Sequence, residues 1–204
     1  MGQYYDWVNL ETGENLNPSD FENFTGNKLF ESSWVDCDIL NALYTLLGSD
    51  WKGKKVGFIG DESTRENWSQ YIDLSLYPKF KFDDAGNVGE VKDVSYQFQR
   101  TEYTLSDLED SHYTEEETKN VGKRDYVFYR YVINKDKKVY LDRNDPVFEE
   151  RDIFPILMAV SGRELQDKVQ GMWVGDLIEV SNDKPSDKYN NVDKELFKLF
   201  NEEC

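Results

Sequence analysis

The chain has 204 residues, with 41 acidic and 24 basic side chains, and a formal net charge of −17. This length suits one domain, which we expect to span residues 1–204. Aromatic residues make up 15% of the chain, whereas disordered acidic chains contain few, so the protein should fold. No apolar run reaches the ~18 residues that a membrane helix needs, and the first residues lack the basic start of a secretion signal. We therefore expect a cytoplasmic protein without membrane contact.

Two cysteines and one histidine exclude a disulfide framework and a structural zinc site, which needs about four such ligands. His112 lies in a polar stretch and is typical of a solvated histidine. Cys37 lies between Asp36 and Asp38, whose carboxylates should oppose formation of a thiolate. Phosphate-binding loops, dinucleotide fingerprints and EF-hand loops are absent from the sequence. We therefore expect no cofactor and no metal.

The first half of the chain predicts a hairpin, a helix and a strand. Strand-forming residues at 3–9 and 14–17 flank the turn signal Thr12-Gly13. Over 38–47, apolar residues recur at spacings of three and four, which predicts a helix with Asp36 or Asp38 as its N-cap. We expect Gly48 to end this helix in the left-handed conformation. The apolar residues at 54–60 predict a buried strand.

Weaker patterns follow this strand. Residues 66–80 predict a short helix that Pro78 stops, and the alternation of Val94, Tyr96 and Phe98 predicts a strand over 91–103. The run at 125–134 is the strongest strand in the sequence, and a lysine-rich turn returns it through 139–141 as a hairpin.

The last third predicts a short buried helix after Pro155, a strand or two strands over 172–180, and a final helix capped by Asn191 or Asp193. Short strands that do not alternate with helices favour an α+β fold, mainly an antiparallel sheet with two or three packed helices. We expect the following side chains to be buried: Leu40, Leu43, Leu47, Phe58, Val127, Phe128, Leu157 and Trp173.

Three acidic residues are candidates for chemistry because each follows an apolar strand. They are Asp61, Glu62 and Asp176. Paired carboxylates suffice for acid–base hydrolysis, and two or three can hold a magnesium ion. Acids at these positions are more typical of ordinary turns and helix caps, and 41 acids produce such pairs by chance.

The negative charge is concentrated in two regions. The first is residues 102–117, which we call the acid-only window because it contains no Lys or Arg. Its acids are Glu102, Asp107, Glu109, Asp110, Glu115, Glu116 and Glu117. Residues 1–50 hold nine acids and one lysine, for a net charge of −8. Their candidate binding residues are Asp6, Glu11, Glu14, Asp20 and Glu22. Such surfaces repel nucleic acid and attract basic proteins.

These features leave three functions open. The first is an acidic protein-binding module or inhibitor that mimics nucleic acid and blocks a basic nucleic-acid-binding protein, such as a host defence nuclease, in the manner of anti-CRISPR proteins. The second is a small carboxylate-dependent hydrolase, with or without magnesium. The third is a soluble housekeeping domain whose acidity serves solubility.

Several segments of the chain carry a resemblance. The opening Met-Gly-Gln-Tyr-Tyr-Asp-Trp-Val-Asn, residues 26–29, residues 51–62 and residues 173–178 resemble a loose group of small bacterial and phage-borne proteins that begin with Met-Gly-Gln-Tyr-Tyr. The likeness covers the ends of the chain better than residues 65–150. It implies a bacterial or phage origin and supplies neither an activity nor catalytic residues.

Overall fold

The computed structural model describes residues 3–18, 21, 28–29, 31–35, 37–83, 86, 88–89, 91–98, 119–148, 150–161 and 169–201. Within these ranges the fold is α+β, as the sequence predicts, with nine strands and four α-helices. The strands are β1 (Tyr5–Asn9), β2 (Glu14–Leu16), β3 (Val56–Gly60), β4 (Lys92–Asp93), β5 (Tyr131–Asn134), β6 (Val139–Asp142), β7 (Ala159–Val160), β8 (Ile178–Ser181) and β9 (Asn190–Asn191). The helices are α1 (Asp38–Leu47), α2 (Arg65–Ser69), α3 (Phe154–Met158) and α4 (Asp193–Asn201).

The strands form two mixed sheets. The first has five strands in the order β4-β2-β1-β3-β7, and the second has four in the order β8-β5-β6-β9. In both sheets the central pairs are antiparallel, whereas β4, β7 and β9 join their neighbours in parallel. The predicted antiparallel arrangement therefore holds for the centre of each sheet and not for these edges.

One hydrophobic core joins the two sheets through α1 and α3. Trp7 of β1 stacks on Phe58 of β3 with ring centroids 4.5 Å apart, and Phe154 of α3 covers Trp7 at 5.5 Å. Val132 of the second sheet belongs to the same buried cluster. Six of the predicted core residues are buried: Leu40, Leu43, Leu47, Phe58, Leu157 and Trp173.

The prediction that Val127 and Phe128 are buried is wrong. Their exposed fractions are 42% and 49%, because β5 begins only at Tyr131. The extended residues before β5 are held by side chains instead of a neighbouring strand. The Val127 N–H donates to the Thr45 hydroxyl at 2.8 Å, and the Phe128 carbonyl accepts from the Asn182 amide at 3.1 Å.

The ends of α1 also differ from the prediction. Cys37 is its N-cap and makes no side-chain capping hydrogen bond, while Asp38 is already helical. Gly48 has a right-handed φ of −83°. A Cβ at this position would lie 2.2 Å from the hydroxyl oxygen of Tyr129. Close approach of Tyr129, and not a left-handed turn, is therefore the physical reason for this glycine.

Two predicted strands are shorter than expected. Within 91–98, only Lys92–Asp93 pairs as a strand, because the Asp93 carboxylate accepts from the Ser95 N–H at 2.8 Å and starts a 3-10 turn. Over 172–180, the chain turns at Gly175, whose φ is +80°, before β8 begins. The predicted helix over 66–80 is confined to α2 and a 3-10 turn at Leu74–Leu76.

Two backbone hydrogen bonds join the residues on either side of the acid-only window. The Gly122 N–H donates to the Tyr96 carbonyl, and the Arg124 N–H donates to the Gln97 carbonyl, both at 2.9 Å. Arg124 also lies over the ring of Phe98 at 5.5 Å from its centroid. These contacts hold residues 96–98 and 122–124 side by side.

A buried ion pair fixes α1 against the second sheet. Asp152 accepts from the Tyr44 hydroxyl at 2.6 Å and from Arg143 Nε at 3.2 Å. The guanidinium of Arg143 lies 4.1 Å from the centroid of the Tyr44 ring. Burial, with a smaller contribution from Asp152, raises the pKa of the nearby Cys37 thiol to about 12, so this cysteine is not a nucleophile at neutral pH.

Among the described residues, no helix is long and apolar enough to cross a membrane.

Candidate functional site

The acids that follow β3 remain at the surface. Asp61 and Glu62 are exposed, as the sequence predicts for residues beyond a buried strand. Asp61 is held by two hydrogen bonds to Tyr4: its N–H donates to the Tyr4 carbonyl at 2.8 Å, and its carboxylate accepts from the Tyr4 N–H at 3.1 Å. Asp61 therefore has a fixed backbone position at the edge of the first sheet.

Asp176 lies at the other end of β3. Its carboxylate accepts from the Asn134 amide at 2.8 Å and pairs with Lys137. The preceding carbonyl, that of Gly175, accepts from Lys55, which stands just before β3. Because β3 separates Lys55 from Asp61, the structure does not bring Asp176 and Asp61 together. In the described part of the chain, no group of three or more His, Cys, Asp or Glu side chains is placed to hold a metal ion.

Two of the N-terminal candidate acids are engaged inside the protein. Glu11 pairs with Lys54 at 3.1 Å and accepts from the Lys55 N–H at 3.1 Å. Glu14 accepts from the indole N–H of the buried Trp51 at 2.9 Å. Both carboxylates therefore have structural partners.

The remaining binding candidates lie outside the described residues. They are Asp20, Glu22, Glu102, Asp107, Glu109, Asp110, Glu115, Glu116 and Glu117, and His112 and Cys204 fall there as well. Their proposed role in binding stays a prediction.

Asp6 is the candidate acid whose surroundings are unusual. It lies in the middle of β1 opposite Ile59 of β3. Burial raises the pKa of its carboxyl to about 7, and the neighbouring charges of Asp93 and then Asp61 add to this effect. The side chain of Asp6 has no hydrogen-bond or ion-pair partner among the residues that the structure describes. Its carboxyl therefore loses its proton at a higher pH than an ordinary aspartate.

The sheet explains how this carboxyl becomes buried. Tyr5 and Trp7 point into the main core, so Asp6 projects from the opposite face of β1, alongside Val8. Val8 and Ile59 belong to a second apolar cluster on that face. Asp6 lies at the margin of this cluster, where solvent only partly reaches it.

Asp6 and Asp61 line a cavity that we call the acidic pocket, and the charge of Asp93 acts on Asp6 from outside the lining. The cavity has a volume of about 430 Å³, and Asp6, Asp61, Tyr4, Asn17 and Val91 contribute to its lining. Asp93 approaches from β4, next to β2, and its carboxylate is oriented by the Ser95 N–H. The ring of Tyr4 is 49% exposed at the rim.

Gly60, the last residue of β3, allows the pocket to form. A Cβ at this position would lie 2.2 Å from the amide nitrogen of Gln3. A glycine therefore lets the chain before β1 lie against the end of β3, which brings Tyr4 beside Asp61.

Chemically, the acidic pocket is suited to a cation. A Lys or Arg side chain entering it would offset the repulsion among the carboxylates, lower the pKa of Asp6 and release a proton. A carboxyl that titrates near pH 7 can also act as a general acid beside an ionised neighbour.

Sequence reasoning separated residues that the fold brings together. It assigned Asp6 to an acidic patch and Asp61 to possible catalysis, and it did not single out Asp93. One signal was available in the sequence. Asp6 interrupts the apolar residues of the first strand, and the period-two pattern places its side chain on the opposite face of that strand from Tyr5 and Trp7. The pairing of β2 with β4, which brings Asp93 near, left no signal in the sequence.

No protein-family model, curated protein or solved structure that was compared with the chain matches it.

Proposed function

We propose that the protein is an acidic protein-binding module whose acidic pocket receives a Lys or Arg side chain of a basic partner. The observation that carries this proposal is the raised pKa of Asp6, about 7. Burial and two like charges make the ionised form of Asp6 unfavourable in the free protein. A cation from a partner would remove that penalty, so binding and ionisation favour each other.

The dimensions of the acidic pocket support this proposal. A cavity of about 430 Å³ accommodates one long side chain with its charged end group. Tyr4, exposed at the rim, offers an aromatic face to an ammonium or guanidinium group, and tyrosine is enriched among residues that dominate binding energy.

The net charge supports a basic protein as the partner. At −17, the protein repels nucleic acid and steers positively charged surfaces toward itself. The groove of a nucleic-acid-binding protein is such a surface, and a phage inhibitor of a host defence nuclease in the bacterial cytoplasm is the specific form that we propose. Residues 102–117 would add a second acidic contact to the same partner.

One observation favours a second candidate. Asp6, whose pKa burial raises to about 7, and Asp61 line one cavity, and glycoside hydrolases place two carboxyl groups of different character in one site. The alternative is therefore a small hydrolase in which Asp6 is the acid and Asp61 the base. It uses a different carboxylate pair from the one that the sequence indicated.

Three double variants that each remove two negative charges test the first proposal. Asp6→Asn with Asp61→Asn alters the acidic pocket, and Glu116→Gln with Glu117→Gln alters the acid-only window. Asp187→Asn with Glu195→Gln is the matched control, because both residues are exposed and remote in sequence from either region. Each protein is used to capture partners from bacterial lysate, with elution by a salt gradient and nucleic acid as competitor.

We expect the control to retain the partners of the wild type and the pocket variant to lose them, or to release them at lower salt. Nucleic acid should displace the partners. Capture by the wild type should strengthen as the pH rises through about 7, because Asp6 must ionise to bind a cation. Unchanged elution of the pocket variant would contradict the proposed role of the acidic pocket.

The single variant Asp6→Asn, with the same control, tests the hydrolase. Turnover of a chromogenic glycoside by the wild type, lost in Asp6→Asn and retained in the control, would favour catalysis over binding. Absence of turnover by the wild type would count against the hydrolase.

A further inference from the structure

A second cavity, of about 350 Å³, lies beside β8 and between the end of α1 and residues 182–189. Three lysines contribute to its lining, together with two serines and a tyrosine: Lys52, Lys135, Lys184, Ser181, Ser186 and Tyr189. We call this cavity the lysine groove. It shares no lining residue with the acidic pocket.

The charges of the lysine groove are not balanced. Lys135 pairs with Glu179 at 3.0 Å and lies 5.6 Å from the centroid of the Tyr189 ring. Among the residues that the structure describes, Lys52 and Lys184 form no ion pair within 4.0 Å, although the charge of Lys184 acts on Asp142 from a greater distance. Asp183 is the other acid in the lining, so its ionised side chains sum to a charge of +1.

This local excess of positive charge contrasts with the net charge of −17. The chain as a whole has 41 acidic and 24 basic side chains. At physiological ionic strength the Debye length is about 8 Å, and distant acids are therefore largely screened from the groove. The lysines of the lining determine which ions enter.

We propose that the lysine groove binds the phosphate group of a small phosphorylated molecule. The ammonium groups of Lys52 and Lys184 would supply charge, as lysines do in many phosphate sites. The Ser181 hydroxyl accepts from the Asp183 N–H at 2.9 Å, which leaves its own O–H to donate to a phosphate oxygen. Ser186 provides a second hydroxyl in the same lining.

The size of the groove argues for a small ligand. Its volume lies at the lower end of the ~300–1,000 Å³ that ligand pockets usually have. A nucleic acid strand would share the phosphate chemistry but would extend across a surface that repels it. The ring of Tyr189 at the wall can contact the organic part of a phosphate ester.

Titration with phenyl phosphate, followed by NMR of the backbone N–H groups of residues 181–184 and of Ser186, tests the proposal. Benzoate serves as the carboxylate analogue, and a short single-stranded oligonucleotide as the polymeric phosphate. The double variant Lys52→Gln with Lys184→Gln removes the two unpaired charges. Lys188→Gln with Lys194→Gln is the matched control, because both lysines are exposed and lie outside the lining.

We expect saturable binding of phenyl phosphate with a Kd that rises at least about tenfold in the groove variant and stays within about twofold in the control. Binding of benzoate as tight as that of phenyl phosphate would overturn the assignment to phosphate. Tighter binding of the oligonucleotide would overturn the assignment to a small molecule. Absence of saturation, or equal weakening in both double variants, would overturn the site itself. If the groove variant does not fold, the single variant Lys184→Gln provides the same comparison, because this side chain is exposed.

Discussion

Replacing Asp6 by Asn should stabilise the protein at neutral and alkaline pH. The ordinary pKa of an Asp carboxyl is 3.8, and in the folded protein burial, Asp93 and Asp61 raise the pKa of Asp6 to about 7. Between these two values the folded state binds more protons at this position than the unfolded state does. The free energy of unfolding of the wild type therefore decreases as the pH rises from about 4 to about 7.

The size of the effect follows from the two pKa values. A difference of one pKa unit corresponds to about 1.4 kcal/mol, so the change at Asp6 amounts to at most about 4 kcal/mol at pH 8 and above. Asp6 is partly open to solvent, which screens the neighbouring charges, and we expect about 2 kcal/mol. Asparagine has nearly the same shape and no charge, so Asp6→Asn should be more stable by this amount at about pH 8 and equal to the wild type near pH 4.

Urea unfolding followed by tryptophan fluorescence at several pH values measures this difference. Asp187→Asn is the control, because Asp187 is exposed and this substitution also removes one negative charge. The stability of the control variant should follow that of the wild type at each pH. The carboxyl of Asp193, whose pKa burial raises to about 6, affects all three proteins and cancels in the comparison. A destabilised Asp6→Asn variant at pH 8, or a difference that does not change with pH, would refute the reasoning.

The remaining predictions concern the hydrophobic core, the packing of Gly57 against Trp68, and the binding of magnesium. Leu43→Ala should lower the free energy of unfolding by about 2–5 kcal/mol because Leu43 is fully buried. Val127→Ala, at an exposed position, should lower it by less than about 0.5 kcal/mol. Equal losses of the two variants in urea unfolding would contradict this prediction. Gly57→Ala should cost about 1–3 kcal/mol, since its Cβ would lie 2.3 Å from the buried Trp68 ring, and an unchanged fluorescence midpoint would exclude that clash. Millimolar magnesium should leave the melting temperature unchanged, because the predicted catalytic acids lie at opposite ends of β3; a clear rise in calorimetry would show that they bind metal.

Sequence patterns predicted the elements whose apolar residues face one buried surface. The helix over 38–47 matches its prediction because local spacing alone determines which side chains face the core. The hairpin of β5 and β6 also forms, although its first strand begins at Tyr131 and not at residue 125. The short helix after Pro155 also formed, with proline in its first turn.

The failures occurred where side chains from distant segments replaced a regular neighbour. Phe128 has the composition of a core strand, but it lies on the guanidinium of Arg143, with 4.9 Å between the charge centre and the ring centroid, and remains half exposed. Glu11 and Glu14 looked like surface charges, yet each reaches a partner about forty residues away. The acidic pocket was missed for the same reason, since Asp6 in β1, Asp61 after β3 and the nearby Asp93 in β4 come from segments that are distant in the chain.

The two hydrogen bonds that join Gly122 to Tyr96 and Arg124 to Gln97 hold together the described residues on either side of 99–118. A short glycine–serine linker from Phe98 to Lys119 can therefore be tested in place of those residues. The entropy of closing a chain segment changes only slowly with its length, by about 0.6 kcal/mol for each doubling, so this exchange should change the entropy of loop closure little. It would remove seven carboxylates at once and leave the acidic pocket intact. The contributions of the two acidic regions can thus be measured on one scaffold, by deletion in one case and by point substitution in the other.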